Sequence, residues 1–179
     1  MNGTDVDLSV ILPCYNEAKI LKQSVKTVQD VLDKTVYRYE IIIAEDASRD
    51  GTDRIAKELA DNNGNIVWLH RDERVGRGSA VANGIKNARG KIVGFLDVDL
   101  EAHPQHILPL VVAIEQGADI ATGVRQIKLR WYDLILKIHK VITHYGYIWI
   151  SQRMLGTNLK DTEAGFKFFN RERILPILD

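Results

Sequence analysis

Residues 8–17 are Leu-Ser-Val-Ile-Leu-Pro-Cys-Tyr-Asn-Glu, an apolar run that ends at Pro13 and is followed by polar side chains. A short apolar run closed by proline is typical of a buried β-strand. After it, apolar residues recur at intervals of three and four as far as Lys34. This spacing predicts an amphipathic helix that begins at Asn16 or Glu17.

The same alternation continues through the first two thirds of the chain. Further strands are predicted at 40–44, 66–69, 91–96 and 119–122, and further helices at 52–62, 78–89 and 104–116. The strands are apolar throughout rather than alternately apolar and polar, which is typical of strands covered on both faces. The sequence therefore predicts an α/β fold of three layers, with helices on both sides of a mainly parallel sheet.

The composition is that of an ordinary globular domain: 179 residues, 45% of them hydrophobic and 27% charged. A single cysteine, Cys14, cannot form an internal disulfide, which favours a reducing compartment. The first residues lack the basic and then apolar pattern of a signal peptide, and we expect a cytoplasmic location. No apolar run approaches the ~20 residues of a membrane-spanning helix.

The formal net charge of zero conceals an uneven distribution. Residues 1–123 contain 14 basic and 19 acidic residues, whereas residues 124–160 contain seven basic residues and one acidic residue. An acidic body that carries a basic segment indicates two different charged partners. Nucleic acid is not expected to be one of them, because the larger part is acidic and has no recognition motif.

Acidic residues follow three of the predicted strands: Glu17 near the first, Asp46 after the second, and Asp97 with Asp99 after the fourth. Ligands of such sheets bind beyond the carboxyl ends of the strands, near the point where the strand order reverses. Crowded carboxylates repel one another unless a cation joins them, so a divalent metal ion is inferred. The two aspartates of Asp97-Val-Asp99 can bind one ion, or one can bind the metal and the other a ribose; Glu101 can complete the site.

Two further motifs admit simpler interpretations. Residues 46–57 resemble a calcium-binding loop, but the twelfth position is Lys57 rather than the required glutamate. We instead expect a turn at Asp50-Gly51 and a helix capped by Thr52. The glycines of Gly76-Arg-Gly78 can place backbone N–H groups near a phosphate, or can serve only to pack a helix closely on the sheet.

Six motifs in a fixed order resemble those of one enzyme family. They are Pro13-Cys-Tyr15-Asn-Glu17, Glu45-Asp46-Ala-Ser-Arg-Asp-Gly-Thr52, Arg74-Val-Gly76-Arg-Gly78-Ser-Ala80, Asp97-Val-Asp99, Thr122-Gly-Val-Arg125 and Asp161-Thr-Glu-Ala-Gly165-Phe-Lys167. The first five are similar to motifs of the family 2 glycosyltransferases, and the sixth to one of that family's dolichyl- and polyprenyl-phosphate mannose and glucose synthases. The resemblance covers residues 8–170 and implies the GT-A fold.

The resemblance also implies roles for particular residues. Pro13, Tyr15, Glu17 and Asp46 would bind the base and ribose of a nucleotide-sugar. Asp97 and Asp99 would bind its phosphates through Mg²⁺ or Mn²⁺, with Glu101 at a position where this branch often has glutamine. Arg125 would contact the acceptor phosphate or the donor. Glu45 replaces the commoner aspartate.

The implied activity is the inverting transfer of a hexose from a GDP- or UDP-sugar to polyprenyl or dolichyl phosphate, a step of glycan or cell-wall biosynthesis. We expect one catalytic domain over 1–179, with donor binding in 1–123 and the acceptor side in 124–179. Such domains usually continue with a further strand and helix, so a truncation at Asp179 is expected. The alternatives are a sugar-nucleotidyltransferase and a non-catalytic nucleotide-binding fragment.

The nature of the acceptor decides which further residues act. A hydroxyl acceptor needs a general base, for which Asp161 and Glu163 are candidates. A phosphate acceptor is already anionic and needs cations instead, which the basic segment 124–160 supplies. Residues 130–155 are predicted to form a helix with an apolar stripe, which either lies on a membrane surface or packs on the sheet.

Overall fold

The computed structural model describes residues 6–123 and 165–178. In chain order, the strands of this part are β1 (Leu8–Cys14), β2 (Tyr39–Glu45), β3 (Ile66–Leu69), β4 (Ile92–Leu96), β5 (Ile120–Thr122) and β6 (Phe166–Asn170). The helices are α1 (Leu21–Leu32), α2 (Thr52–Asp61), α3 (Arg77–Asn87) and α4 (Ile107–Glu115), with a four-residue helix at Arg171–Ile174. Short 3₁₀ turns cover Pro104–His106 and Leu175–Ile177.

The six strands form one sheet in the order β3-β2-β1-β4-β6-β5. β1 pairs in parallel with both β2 and β4, and β2 pairs in parallel with β3. β6 pairs antiparallel with β4. The predicted α/β fold with a mainly parallel sheet is confirmed, and the strand order reverses between β1 and β4.

The core lies on both faces of the sheet because successive strand residues point to opposite sides. On one face, Leu8, Val10 and Leu12 pack with buried residues of α1 and α4. On the other face, Ile11 packs with buried residues of α3, including Ile85. Burying each such aliphatic side chain contributes ~1.5–3 kcal/mol, so the apolar strands and the helical stripes stabilise one another.

One predicted helix start and one predicted helix cap are wrong, and both lie at the carboxyl edge of the sheet, whereas the predicted start of α2 at Thr52 is confirmed. α1 begins at Leu21 rather than at Asn16 or Glu17, because Asn16 adopts a left-handed backbone conformation with φ of 58°. The N-cap of α2 is Gly51, with φ of 95°, rather than Thr52. Thr52 is the first helical residue, and its hydroxyl is engaged by other loop residues described below.

The C-terminal part of the described chain completes the sheet. Residues 165–178 belong to the same compact unit as residues 6–121. Within that unit, Phe168 is fully buried and Phe169 packs on the opposite face of β6. This strand was not among those predicted from apolar runs. The predicted helix at 130–155 lies outside the described residues, and among the helices that are described none has the length and apolarity to cross a membrane.

Candidate active site

A cleft of about 270 Å³ opens at the carboxyl ends of β1, β2 and β4, where the strand order reverses. Ligands of parallel α/β sheets bind at this position because the strand order leaves a crevice there. The cleft is lined by Pro13, Cys14, Tyr15, Glu17, Asp46, Arg74, Arg77, Ala80, Asp97, Val98 and Asp99.

The loop after β1 is held by the loop after β2. The backbone N–H groups of Asn16, Glu17 and Ala18 donate to side-chain oxygens of Ser48, Thr52 and Asp50, at 2.9, 2.8 and 3.0 Å. In return, the Asn16 side chain accepts from the backbone N–H of Arg49 at 2.9 Å. Since three successive amides are held in this way, the positions of Tyr15 and Glu17 in the cleft depend on the second loop.

Asp46 organises a third loop, the one that precedes α3. Its carboxylate is 2% exposed and accepts hydrogen bonds from the backbone N–H groups of Val75 at 3.0 Å and Gly76 at 2.7 Å. Each of its two oxygens therefore has a backbone partner. Asp46 lies in the cleft as predicted, and it also fixes the loop that carries Arg74 and Arg77 into the same space.

Glu45, next to Asp46, is anchored on the other side. Its side chain is fully buried, and one carboxylate oxygen lies 2.5 Å from Nδ1 of His70. Its other oxygen accepts from the backbone N–H of Ser48. The His70 ring lies 5.4 Å from that of Trp68, between centroids. Glu45 thus links the residue after β3 to the loop after β2. Its side chain, one methylene longer than that of the commoner aspartate, makes both contacts.

Asp97 and Asp99 follow β4, and their surroundings differ. Asp99 is exposed, and its Oδ1 accepts from the backbone N–H of Glu101 at 3.2 Å. Asp97 is half-buried and pairs with Arg77, whose Nη2 lies 2.6 Å from Oδ1. A Cβ added at Gly165 would overlap the Asp97 carboxylate, so this glycine allows the backbone to pass close to it.

The carboxylates of the cleft disfavour one another's ionisation. Burial raises the pKa of Glu17, and the negative charges of Asp99, Asp50 and Asp97 raise it further. Burial also raises the pKa of Asp97; the Arg77 guanidinium opposes this rise, and Asp99 adds to it. A cation bound among these groups would relieve the repulsion.

Two arginines of the cleft, Arg74 and Arg77, belong to one of the six motifs, but the sequence does not predict them as site residues. The guanidinium carbon of Arg74 lies 3.8 Å from the centroid of the Tyr15 ring, within the range of a cation–π contact. Arg77 lies beside Asp97, as described above. The signal in the sequence was a pair of arginines flanking the glycine that precedes a predicted helix.

The predicted site residues are divided by the structure into three groups. Pro13, Tyr15, Glu17, Asp46, Asp97 and Asp99 line the cleft. Gly78, in the first turn of α3, and Glu101 are described but do not line it. Arg125, Asp161 and Glu163 lie outside the described residues.

Within residues 6–123 and 165–178, no three His, Cys, Asp or Glu side chains are grouped so as to hold a metal ion by themselves. Asp97 and Asp99 are a pair of hard oxygen ligands of the kind that Mg²⁺ and Mn²⁺ bind together with phosphate oxygens and water. The donor set therefore fits a metal ion that is shared with a diphosphate. Cys14 is unsuited to such a role, because burial raises the pKa of its thiol.

The fold and the cleft are those of an α/β domain that binds its ligand beyond the carboxyl ends of its strands, and comparison with known proteins gives the family. The chain belongs to glycosyl transferase family 2, whose family model matches residues 9–174. The resemblance predicted from the motifs is thereby confirmed.

Two curated relatives illustrate the similarity. Glycosyltransferase AglD of Haloferax volcanii is 33% identical over 97% of this chain. Dolichol-phosphate mannosyltransferase of Pyrococcus furiosus is 37% identical over 68% of this chain. The chain spans 28% and 34% of the lengths of these two proteins.

Solved structures share the fold at lower sequence identity. Mannosyltransferase PcManGT of Pyrobaculum calidifontis, solved with GDP-Man and Mn²⁺, superposes with a TM-score of 0.61 at 19% identity, over 96% of this chain and 46% of that one. Glucosyl-3-phosphoglycerate synthase of Mycobacterium tuberculosis, solved with Mn²⁺, UDP and phosphoglyceric acid, has a TM-score of 0.66 at 20% identity, over 93% of this chain and 56% of that one. These likenesses confirm the predicted GT-A fold.

Proposed function

We propose that this chain transfers a sugar from a GDP- or UDP-sugar to polyprenyl or dolichyl phosphate, with inversion at the anomeric carbon. The observation that carries the proposal is the cleft at the carboxyl ends of β1, β2 and β4. It is lined by four carboxylates, one tyrosine and two arginines. Relatives named for transfer to undecaprenyl phosphate and dolichol phosphate support the choice of acceptor.

The inner part of the cleft is proposed to bind the nucleoside. Pro13 and Tyr15 supply an apolar and aromatic wall, and Glu17 and Asp46 supply acceptors for ribose hydroxyl and base N–H groups. Asp46 already accepts two backbone N–H groups, and each carboxylate oxygen can accept a further hydrogen bond. Gly78, which follows the cleft-lining Arg77 in the first turn of α3, is proposed to offer its backbone N–H to the diphosphate.

The outer part of the cleft is proposed to bind the diphosphate together with Mg²⁺ or Mn²⁺. Asp97 and Asp99 would hold the ion, with Glu101 close by in the chain. When bound, such an ion supplies a positive charge that stabilises the departing nucleoside diphosphate. Arg74 and Arg77 add positive charge to the same cleft.

The acceptor is proposed to bind on the side of residues 124–179. Its phosphate needs no general base, and Arg125 and the other cations of 124–160 match its charge. If the acceptor were a hydroxyl, Asp161 and Glu163 would be the candidate bases. Residues 1–179 would act as one catalytic domain in glycan synthesis, in a peripheral protein at the cytoplasmic face of a membrane.

A binding experiment tests the donor part of the proposal. Calorimetry with UDP- and GDP-sugars plus Mn²⁺ is expected to show binding of one of them, and Asp97→Ala is expected to weaken it at least ~10-fold, as for a lost charged contact. Asp61→Ala is a matched control, because Asp61 is exposed at the C-terminal end of α2 and does not line the cleft. Binding that is indifferent to Asp97→Ala would contradict the proposal.

A turnover experiment tests the acceptor. A radiolabelled nucleotide-sugar is incubated with polyprenyl phosphate, and the label is expected to pass into the lipid extract. A sugar-nucleotidyltransferase would instead transfer the nucleotidyl group of a nucleoside triphosphate to a sugar phosphate, with release of pyrophosphate, and would leave no label in the lipid. A non-catalytic fragment would bind the donor without forming product.

A further inference from the structure

Arg77 and Asp97 form an ion pair in the part of the cleft proposed for the diphosphate. Nη2 of Arg77 lies 2.6 Å from Oδ1 of Asp97, and the two side chains are 50% and 36% exposed. The guanidinium carbon is 5.6 Å from the centroid of the Phe95 ring, on the strand that leads to Asp97. Arg77 thus pairs directly with the carboxylate that the proposed function assigns to a metal ion, while Lys167, whose Nζ lies 5.5 Å from the centroid of the same ring, adds a more distant positive charge.

The space around Asp97 is limited on a second side. The backbone N–H of Asp97 donates to the carbonyl oxygen of Gly165 at 3.2 Å. A Cβ at Gly165 would overlap the Asp97 carboxylate and would come within 2.9 Å of Nη2 of Arg77. With Arg77 on one oxygen and the backbone of Gly165 beside the other, a cation that approaches Asp97 meets the Arg77 charge at close range.

A metal ion at Asp97 would be attracted by the neighbouring carboxylates of Glu17 and Asp99, but it would be repelled at close range by the Arg77 guanidinium. Arginine stays protonated at all accessible pH values, so it cannot reduce the repulsion by losing its proton. A bound diphosphate changes the balance, because it adds negative charge that can pair with both cations. The side chain of Arg77 is half exposed at the first position of α3, so it can turn from Asp97 to a phosphate without unfolding the helix.

We propose that Arg77 is the resident counter-cation of Asp97, and that it couples the binding of a divalent metal ion to the binding of a nucleoside diphosphate. In the empty cleft, Arg77 weakens the metal affinity by occupying Asp97. When the diphosphate binds, Arg77 pairs with it and releases Asp97. This inference rests on the proposed function, since it assumes that a metal and a diphosphate share the cleft.

The test measures Mn²⁺ binding to the whole 179-residue chain by the loss of the electron paramagnetic resonance signal of free Mn²⁺. Titrations are made without nucleotide, with UDP and with GDP, and matching titrations without protein give the Mn²⁺ that each nucleotide binds by itself. Arg77→Gln is expected to bind Mn²⁺ at least ~5-fold more tightly than the wild type without nucleotide, the lower end of the usual range for coupled sites. When the nucleotide is added, the Mn²⁺ affinity of Arg77→Gln is expected to rise by a smaller factor than that of the wild type.

Two further variants separate the ion pair from other effects. Arg77→Lys retains the charge and is expected to behave like the wild type. Arg74→Gln also removes a positive charge from the cleft, but Arg74 stacks on Tyr15. Without nucleotide, this variant is expected to change the Mn²⁺ affinity much less than Arg77→Gln does. A tightening of Mn²⁺ binding cannot come from a damaged fold, because loss of structure weakens a site built from Asp97 and Asp99.

The outcomes distinguish this inference from the proposed function. If UDP or GDP binds but Arg77→Gln leaves the Mn²⁺ affinity unchanged or weakens it, the counter-cation role is refuted and the donor site stands. An equal tightening by Arg74→Gln would also refute it, because the effect would then come from the overall charge. If neither nucleotide binds with or without Mn²⁺, the proposed function fails and this inference fails with it.

Discussion

Replacing Glu40 is expected to destabilise the protein more than any exposed charge would. Glu40 is 1% exposed on β2, next to Ser9 in the register of the sheet. Its carboxylate accepts from the Ser9 hydroxyl at 2.6 Å, and from the backbone N–H and Nε of Arg89 at 2.7 and 2.8 Å. These bonds join two strands to the turn before β4.

The expected loss in the free energy of unfolding follows from the groups that Glu40→Ala would leave without their carboxylate partner. Breaking a buried ion pair by removing one partner costs ~3–5 kcal/mol. The Arg89 side chain is 52% exposed and can be hydrated, so the lower end, ~3 kcal/mol, is expected. The Ser9 hydroxyl retains a partner, since it accepts from the backbone N–H of Gly90 at 2.9 Å. At about 2 kcal/mol per molar urea, the unfolding midpoint would fall by about 1.5 M.

Urea unfolding followed by circular dichroism measures this loss. Glu40→Gln keeps the shape of the side chain and is expected to lose about half as much, since an amide oxygen can still accept from Ser9. The matched control is Asp30→Asn, which breaks an exposed i,i+4 pair with Lys26 and is expected to cost under ~0.5 kcal/mol. If Glu40→Ala shifted the midpoint no more than this control, the buried network would not be stabilising.

Three other variants test the core and the cleft. Gly94→Ala places a Cβ against the buried ring of Phe168 and is expected to cost ~1–3 kcal/mol in urea unfolding, whereas Gly64→Ala, with open space around it, is expected to change little. In Asp46→Asn, the side-chain amide would point an N–H group at the backbone N–H of Val75 or of Gly76, so one of these hydrogen bonds would be lost. The hydrogen exchange of these two amides is expected to speed up and nucleotide binding to weaken; unchanged exchange would contradict this. Because the pKa of Glu17 is raised in the folded state, its ionisation lowers stability as pH rises through that pKa. Glu17→Gln is therefore expected to have a higher melting temperature than the wild type at pH 7. Below the ordinary pKa of glutamate, the two melting temperatures are expected to be similar. The same difference in melting temperature at both pH values would contradict this.

Most of the sheet was predictable because its strands are short apolar runs between amphipathic helices. The predictions were wrong where a nonlocal contact replaced a local one. Asn16 would cap a helix by its residue type, but its side chain instead accepts from Arg49, 33 residues away in the chain. β6 was not predicted, because the pairing of Phe168 with Gly94 joins segments far apart in the sequence.

The members of the cleft were predictable for a geometric reason. Parallel strands end at one edge of a sheet, so polar residues that follow β1, β2 and β4 must meet there. Tyr15, Asp46 and Asp97 do so. The partners of the arginines were not predictable, because the contact of Arg77 with Asp97 depends on how α3 packs on the sheet.

The place of β6 within the sheet has a consequence for synthesis. β4 emerges from the ribosome about 70 residues before β6, its antiparallel neighbour. During that interval one edge of β4 has no strand beside it, and the space above Gly94 lacks the Phe168 ring that later fills it. At ~5–20 residues per second the exposure lasts ~4–14 s, long enough for a chaperone to bind. Because Gly165 lies beside Asp97, the sheet and the acidic end of the cleft are completed in the same late step.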